Sequence, residues 1–124
     1  MKKSLKTDII CIEKILRHIS DLRECLAHFD IKSHRDFENK RLSQFATTQI
    51  ITIIHELKIN ITPETLLKVP KFNQIKIAGA RNIASHDYEK VNFRIIFDIC
   101  DMLISENVEN ELKGAINDVG SDNE

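Results

Sequence analysis

Apolar side chains recur along the start of the chain at steps of three and four: Ile9, Ile12, Leu16, Ile19, Leu22, Leu26 and Phe29. That spacing lays them on one face and predicts a first helix over roughly residues 5–29. His28 to His34 reads as a polar connection, and Ser33 and Asp36 are both candidate caps for a second helix over roughly 35–58. Within it, Thr47-Thr48-Gln49-Ile50-Ile51-Thr52-Ile53-Ile54 is rich in β-branched residues that locally favour a strand. Its flanks, FENKRLSQF and HELK, suit a helix, and a helix apolar on two sides is buried on both.

Asn60 to Lys71 is the longest irregular stretch, but Thr62-Pro63-Glu64 is a helix-start signal with proline at the first helical position. A third helix is expected over roughly 73–84 and a fourth from a cap at Asn92. In the fourth, Phe93, Ile96, Phe97, Cys100, Leu103 and Ile104 form a bundle seam. Gly114 and Gly120 predict a weak last helix and a loose tail. With three glycines and two prolines, turn punctuation is too sparse for an all-β chain. The expected fold is all-α, an antiparallel bundle of four to five helices: a single domain over 1–117 with an acidic flexible tail over 118–124.

Composition narrows the function. The 124 residues suit one domain, and 42% apolar with 30% charged residues fits neither disorder nor a membrane protein. The net charge of −1 excludes a protein that coats nucleic acid through bulk charge. Yet residues 105–124 carry six acids against one base, net −5, which leaves a body of net +4. The acidic stretch reads either as a solvated terminus or as a segment that competes with RNA or docks on a partner. Cys11, Cys25 and Cys100 sit among apolar residues and read as free thiols of a reducing compartment. The N-terminus lacks the pattern of a signal peptide and no run reaches spanning length, so a soluble cytoplasmic protein is expected. Cys25 and His28 have ligand-like spacing but no second close pair, so no metal site is expected. Phosphate-loop and nucleophile-elbow motifs do not occur.

The chemistry concentrates in Lys76-Ile-Ala-Gly-Ala-Arg-Asn-Ile-Ala-Ser-His-Asp-Tyr88. Ala78-Gly79-Ala80 is a strip of small residues suited to close backbone approach. Arg81, Asn82, His86, Asp87 and Tyr88 follow within eight residues, and Tyr88 is the one tyrosine of the chain. On an ideal helix Arg81 and His86 are about 140° apart, so joint action needs a helix end near Ser85 or a second copy of the motif. Histidine exchanges protons near neutral pH, and arginine steadies charge on a phosphoryl group. RNA carries its own 2′-hydroxyl nucleophile, so the pair suits RNA cleavage without a cofactor. The same side chains also suit a helix cap, an Arg81–Asp87 ion pair and a half-buried tyrosine anchor.

Arg81-Asn-Ile-Ala-Ser-His86-Asp-Tyr88 resembles the Arg-x4-His-x-Tyr signature of the HepT-like toxins in the HEPN superfamily of ribonucleases. Ile75 to Asn82 is also similar to that family's Ile-Ala-Gly-x-Arg-Asn approach, and the likeness spans roughly residues 5–113. The resemblance implies a homodimer of helical bundles whose motifs share a cleft. It implies a toxin of a type VII-like toxin–antitoxin system, with Arg81 and His86 as the catalytic pair acting on RNA. Asn82 and Asp87 become supporting residues, and Tyr88 the acceptor of AMP from a small nucleotidyltransferase antitoxin of the MntA type. No cofactor is implied. Many family members carry Gly-Glu where this chain has Thr52-Ile53, which removes an acidic cleft residue. That departure keeps an alternative open: a non-catalytic helical module that binds a nucleotidyltransferase or nucleotides.

Overall fold

The structure is a computed structural model, and it describes residues 4–77 and 92–122. Seven helices occur among the described residues, without a strand: α1 (Leu5–His28), α2 (His34–Glu38), α3 (Arg41–Lys58), α4 (Pro63–Leu66), α5 (Pro70–Asn73), α6 (Phe93–Leu103) and α7 (Glu106–Asp122). Four are long, and they make the all-α bundle that the hydrophobic periodicity predicts. No helix among the described residues is long and apolar enough to cross a membrane.

α1 begins at Ser4, whose hydroxyl accepts from Thr7 N–H. Its inward face is Cys11, Ile12, Ile15, Ile19, Leu22 and Leu26, all buried. The predicted stripe holds, with Ile15 added and Leu16 moved to the half-buried edge. The helix ends in a Schellman turn. Asp30 N–H bonds Ala27 O at 3.1 Å and Ile31 N–H bonds Leu26 O at 2.9 Å. Asp30 takes the left-handed conformation (φ 54°) that this turn needs, and aspartate tolerates it better than most side chains. Ile31 then packs back into the core.

The expected single helix over 35–58 is two helices. Ser33 caps α2 as predicted, accepting from Asp36 N–H. The break at Asn39–Lys40 has a visible cause. The Gln44 amide donates to Phe37 O at 2.8 Å and Glu38 O at 3.2 Å, and the Asn39 amide donates to Arg35 O at 3.0 Å. Side chains thus take carbonyls that a continuing helix would use for itself. Phe37 turns fully into the core at the break. The β-branched run of α3 is helical, as its flanks predict. Ser43, Gln44, Thr47, Ile51 and Ile54 face inward, and Leu42 and Phe45 stay exposed.

α3 lies antiparallel to α1. Ser43, at the start of α3, meets Cys25 near the end of α1, and Thr62, just past α3, meets Asp8 in the first turn of α1. Between α3 and α6, Thr47 meets Cys100. The three cysteines are free; burial pushes the Cys11, Cys25 and Cys100 thiols above their ordinary range. They act as small apolar side chains.

Asn92 caps α6 as expected, its side chain accepting from Arg94 N–H at 3.0 Å. The α6 seam holds, with Ile96, Ile99, Cys100 and Leu103 buried. The connection to α7 is fixed by Arg23, which donates to Ile104 O at 2.6 Å and pairs with Glu109 at 2.7 Å. Lys113 and Arg23 hold the Glu109 carboxyl below the ordinary carboxylate range. That contribution is present above the unfolded carboxylate pKa and is lost as pH falls through the folded value.

α7 differs most from expectation. It is helical through Gly114 to Asp122, so 118–122 is not a loose tail. The reason is the stripe Val108, Leu112, Ala115 and Val119, buried at steps of three and four. Gly114 faces open space, where its missing side chain costs the packing nothing.

Asp8 is fully buried at the base of the bundle. It accepts from Thr62 N–H (2.9 Å), Thr62 Oγ1 (2.6 Å) and Thr65 Oγ1 (2.5 Å), tying α1 to the start of α4. Asp8→Ala strands three donors away from water and should lower unfolding stability by about 2–4 kcal/mol. Urea denaturation monitored by circular dichroism measures this, and a loss under about 0.5 kcal/mol would contradict the role given to Asp8.

Candidate functional site

The motif itself, Arg81, Asn82, His86, Asp87 and Tyr88, lies outside the described residues, as do Ala78-Gly79-Ala80 and the remainder of the third helix expected over 73–84. The described residues show how the scaffold holds both ends of that segment.

On the incoming side the expected third helix does not start at 73. α5 ends at Asn73, and the chain turns through Gln74 to Lys76. Val69 offers no side-chain cap for α5. Glu111 of α7 replaces it, accepting from Lys71 N–H at 3.0 Å and Phe72 N–H at 2.9 Å. One carboxylate thus satisfies two backbone donors that a helix start leaves unpaired. At the other end, the Lys58 ammonium of α3 donates to Asn73 O at 2.8 Å and Ile75 O at 3.2 Å. It also sits 5.3 Å from the centre of the Phe72 ring. Burial pulls the Lys58 pKa below the ordinary lysine range. These carbonyls would continue a helix; bonded to lysine, they end it instead. Ile77 N–H then reaches Ile75 O at 3.0 Å, the two-residue span of a γ-turn. Phe72, Ile75 and Ile77 are all buried, so the backbone is anchored up to the residue before Ala78.

On the outgoing side the anchor is α2. Phe37 packs on Phe93 and Phe97 with ring centres 6.0 and 5.9 Å apart. Arg94 pairs with Glu38 at 3.1 Å and His34 hydrogen-bonds Asp98 at 2.6 Å, so two polar contacts cross from α2 to α6. Chain entering the motif is therefore rooted on α3 and α7, and chain leaving it on α2.

The family model described as Ribonuclease HepT-like matches residues 12–114. The chain belongs to the HepT-like ribonuclease family. The match begins within α1, covers α3 and α6 whole, ends within α7 and includes the Arg81–Tyr88 motif. No curated protein and no solved structure matches the chain.

Within the HepT-like bundle, the departure at Thr52-Ile53 lies mid-way along α3. The Thr52 hydroxyl donates to Thr48 O at 2.9 Å, and both 52 and 53 are half-buried. Cys25 is half-buried and His28 stands edge-on to Phe29, 4.9 Å between ring centres. Among the described residues no group of three or more His, Cys, Asp or Glu side chains is placed to hold a metal ion.

Lys58 and Glu111 are supporting residues that sequence spacing does not signal. Each bonds backbone 15 to 40 positions away. Lys58→Met keeps the aliphatic stem but removes both bonds to carbonyl oxygen. It should lower stability by about 1–2 kcal/mol and speed amide exchange at Ile75 and Ile77 more than in α1. Exchange that accelerates equally in α1 would mean Lys58 supports the bundle in general and not this turn.

Proposed function

We propose that this chain is a metal-independent endoribonuclease, the toxin of a type VII-like toxin–antitoxin pair. The observation that carries it is the Arg81-x4-His86-x-Tyr88 motif inside a chain of the HepT-like ribonuclease family. His86 takes the proton of the RNA 2′-hydroxyl as that oxygen attacks the adjacent phosphorus. Arg81 neutralises charge accumulating on the phosphoryl oxygens. The 5′-oxygen leaves with a proton, giving a 2′,3′-cyclic phosphate and a 5′-hydroxyl. Asn82 and Asp87 hold the pair in place. Two chains form a homodimer whose motifs face one cleft, which resolves the 140° separation of Arg81 and His86 on a single helix.

Inhibition in this reading is electrostatic. A nucleotidyltransferase antitoxin of the MntA type transfers AMP to the Tyr88 hydroxyl, with pyrophosphate leaving from ATP. Each phosphodiester adds a negative charge and a nucleoside beside the catalytic pair, repelling and excluding RNA. A second reading comes from Thr52-Ile53, where a family carboxylate is missing: a non-catalytic module that binds the nucleotidyltransferase or nucleotides.

Purified protein should cut RNA in excess EDTA, and Arg81→Ala or His86→Ala should each lower the rate by at least about a hundredfold with circular dichroism unchanged. Binding of ATP or the partner without RNA turnover by the unmodified chain would select the second reading. Co-expression with the antitoxin should add AMP mass units that vanish in Tyr88→Phe. Increments that persist in that variant would remove Tyr88 as the sole acceptor.

A further inference from the structure

Among the described residues, three open grooves meet around Ile75, and they differ in charge. One, between α5, α6 and α7, carries Asp101 beside Lys71; a second, along α6, carries Asp98 beside Lys76. The third, about 470 Å³ between α3, α4 and the α5 turn, is lined by His55, Lys58, Asn73 and Lys76 over aliphatic Ile59 and Leu66, with no carboxylate among its described lining residues. It extends to Ile77, the last residue before the small-residue strip, and Arg81 comes four positions later. Its chemistry is that of a backbone-binding subsite: cations for phosphate, an amide for sugar or phosphate oxygens, and an apolar floor for ribose and base faces.

We infer that this groove holds the sugar–phosphate backbone of the RNA strand flanking the cleaved bond, with Lys76 contacting phosphate. The inference rests on the ribonuclease reading and adds a substrate-binding surface to it. Lys58 supplies a fixed charge, since its ammonium already donates to Asn73 O and Ile75 O. Lys76 is exposed and can swing toward a phosphate. Asn73 gives its carbonyl to Lys58 and keeps its exposed side-chain amide for the ligand. An RNA strand is favoured over a free nucleotide because the groove is open to solvent and leads in sequence to the motif.

The test is made on the full chain carrying His86→Ala, so that binding is read without cleavage. Anisotropy of a labelled single-stranded RNA is followed across a salt series. Adding Lys76→Ala should weaken binding about three- to tenfold and flatten the slope of log Kd against log salt by about 0.7, the value for one lost phosphate contact on a single strand. Lys32→Ala is the control. Lys32 lies beyond α2 at the far end of α3, and Arg41 to His55 alone spans about 21 Å. It should leave affinity and slope unchanged. If Lys76→Ala binds RNA as tightly as the parent with the same slope, or no more weakly than Lys32→Ala, the groove assignment falls while the ribonuclease reading stands. If AMP displaces the RNA and loses affinity equally in Lys76→Ala, the groove is a nucleotide site and the strand assignment falls. If the parent binds no RNA and the unsubstituted chain cuts none, both fall.

Discussion

A carboxylate taken fully out of water is costly unless hydrogen bonds replace its hydration, and Asp8 is the place where this bundle accepts that constraint. Its three donors all come from Thr62 and Thr65, at the start of the four-residue helix that succeeds α3. The partners are neutral, so the bond set is directional and cannot be replaced by a rearranged ion pair. Fixing Thr62 against the first turn of α1 fixes where α3 must end. It also seats Ile61 and Val69, both essentially inaccessible, on either side of α4. Every later element in this part of the chain starts from that position.

Beyond Thr65 the chain is too irregular to hold itself. A helix of four residues has too few internal hydrogen bonds to offset the ordering of its backbone. α5 exists because Glu111 binds its first donors and Lys58 its last acceptors. Both charges come from long helices, so the rigidity of the bundle passes to the chain that enters the motif. Catalytic pairs tolerate little displacement, and groups mounted on rigid elements hold their geometry best. Anchoring both sides of residues 78–91 on packed helices is what such a site requires of its scaffold.

α1 and α6 are legible in the sequence because each shows a stripe at steps of three and four, and α3 is legible from its flanks. Ser33, Thr62-Pro63 and Asn92 mark starts that the structure uses; α7 reads only as a weak last helix because two glycines interrupt it. The break after Glu38 is not legible, because it depends on Gln44 reaching back to two carbonyls instead of on glycine or proline. Asp8 reads in sequence as an ordinary acid in a first helical turn, where it suits the helix dipole. Its burial is set by residues 54 and 57 positions away. The candidate site is legible only as a motif, since chemistry-bearing residues clustered between Arg81 and Tyr88 announce themselves by type. Lys58 and Glu111 carry no such mark; their roles arise from tertiary placement alone.

The acidic C-terminal segment changes meaning once its partners are known. A net charge of −5 over residues 105–124 suggests a detachable stretch able to compete with RNA. Two of its acids are instead built into the bundle: Glu109 between Arg23 and Lys113, and Glu111 on the backbone of α5. Val119 is buried beyond them, so release of the segment would uncover core and abandon the anchor of the chain leading into the motif. Competition by displacement would therefore dismantle the surface it was meant to occupy. Glu109 fixes the start of α7 and Glu111 caps the start of α5, and the basic groove beside the turn after α5 is left without a carboxylate among its described lining. Near-neutral net charge and a local attraction for phosphate are compatible because the two signs occupy different faces of one small bundle.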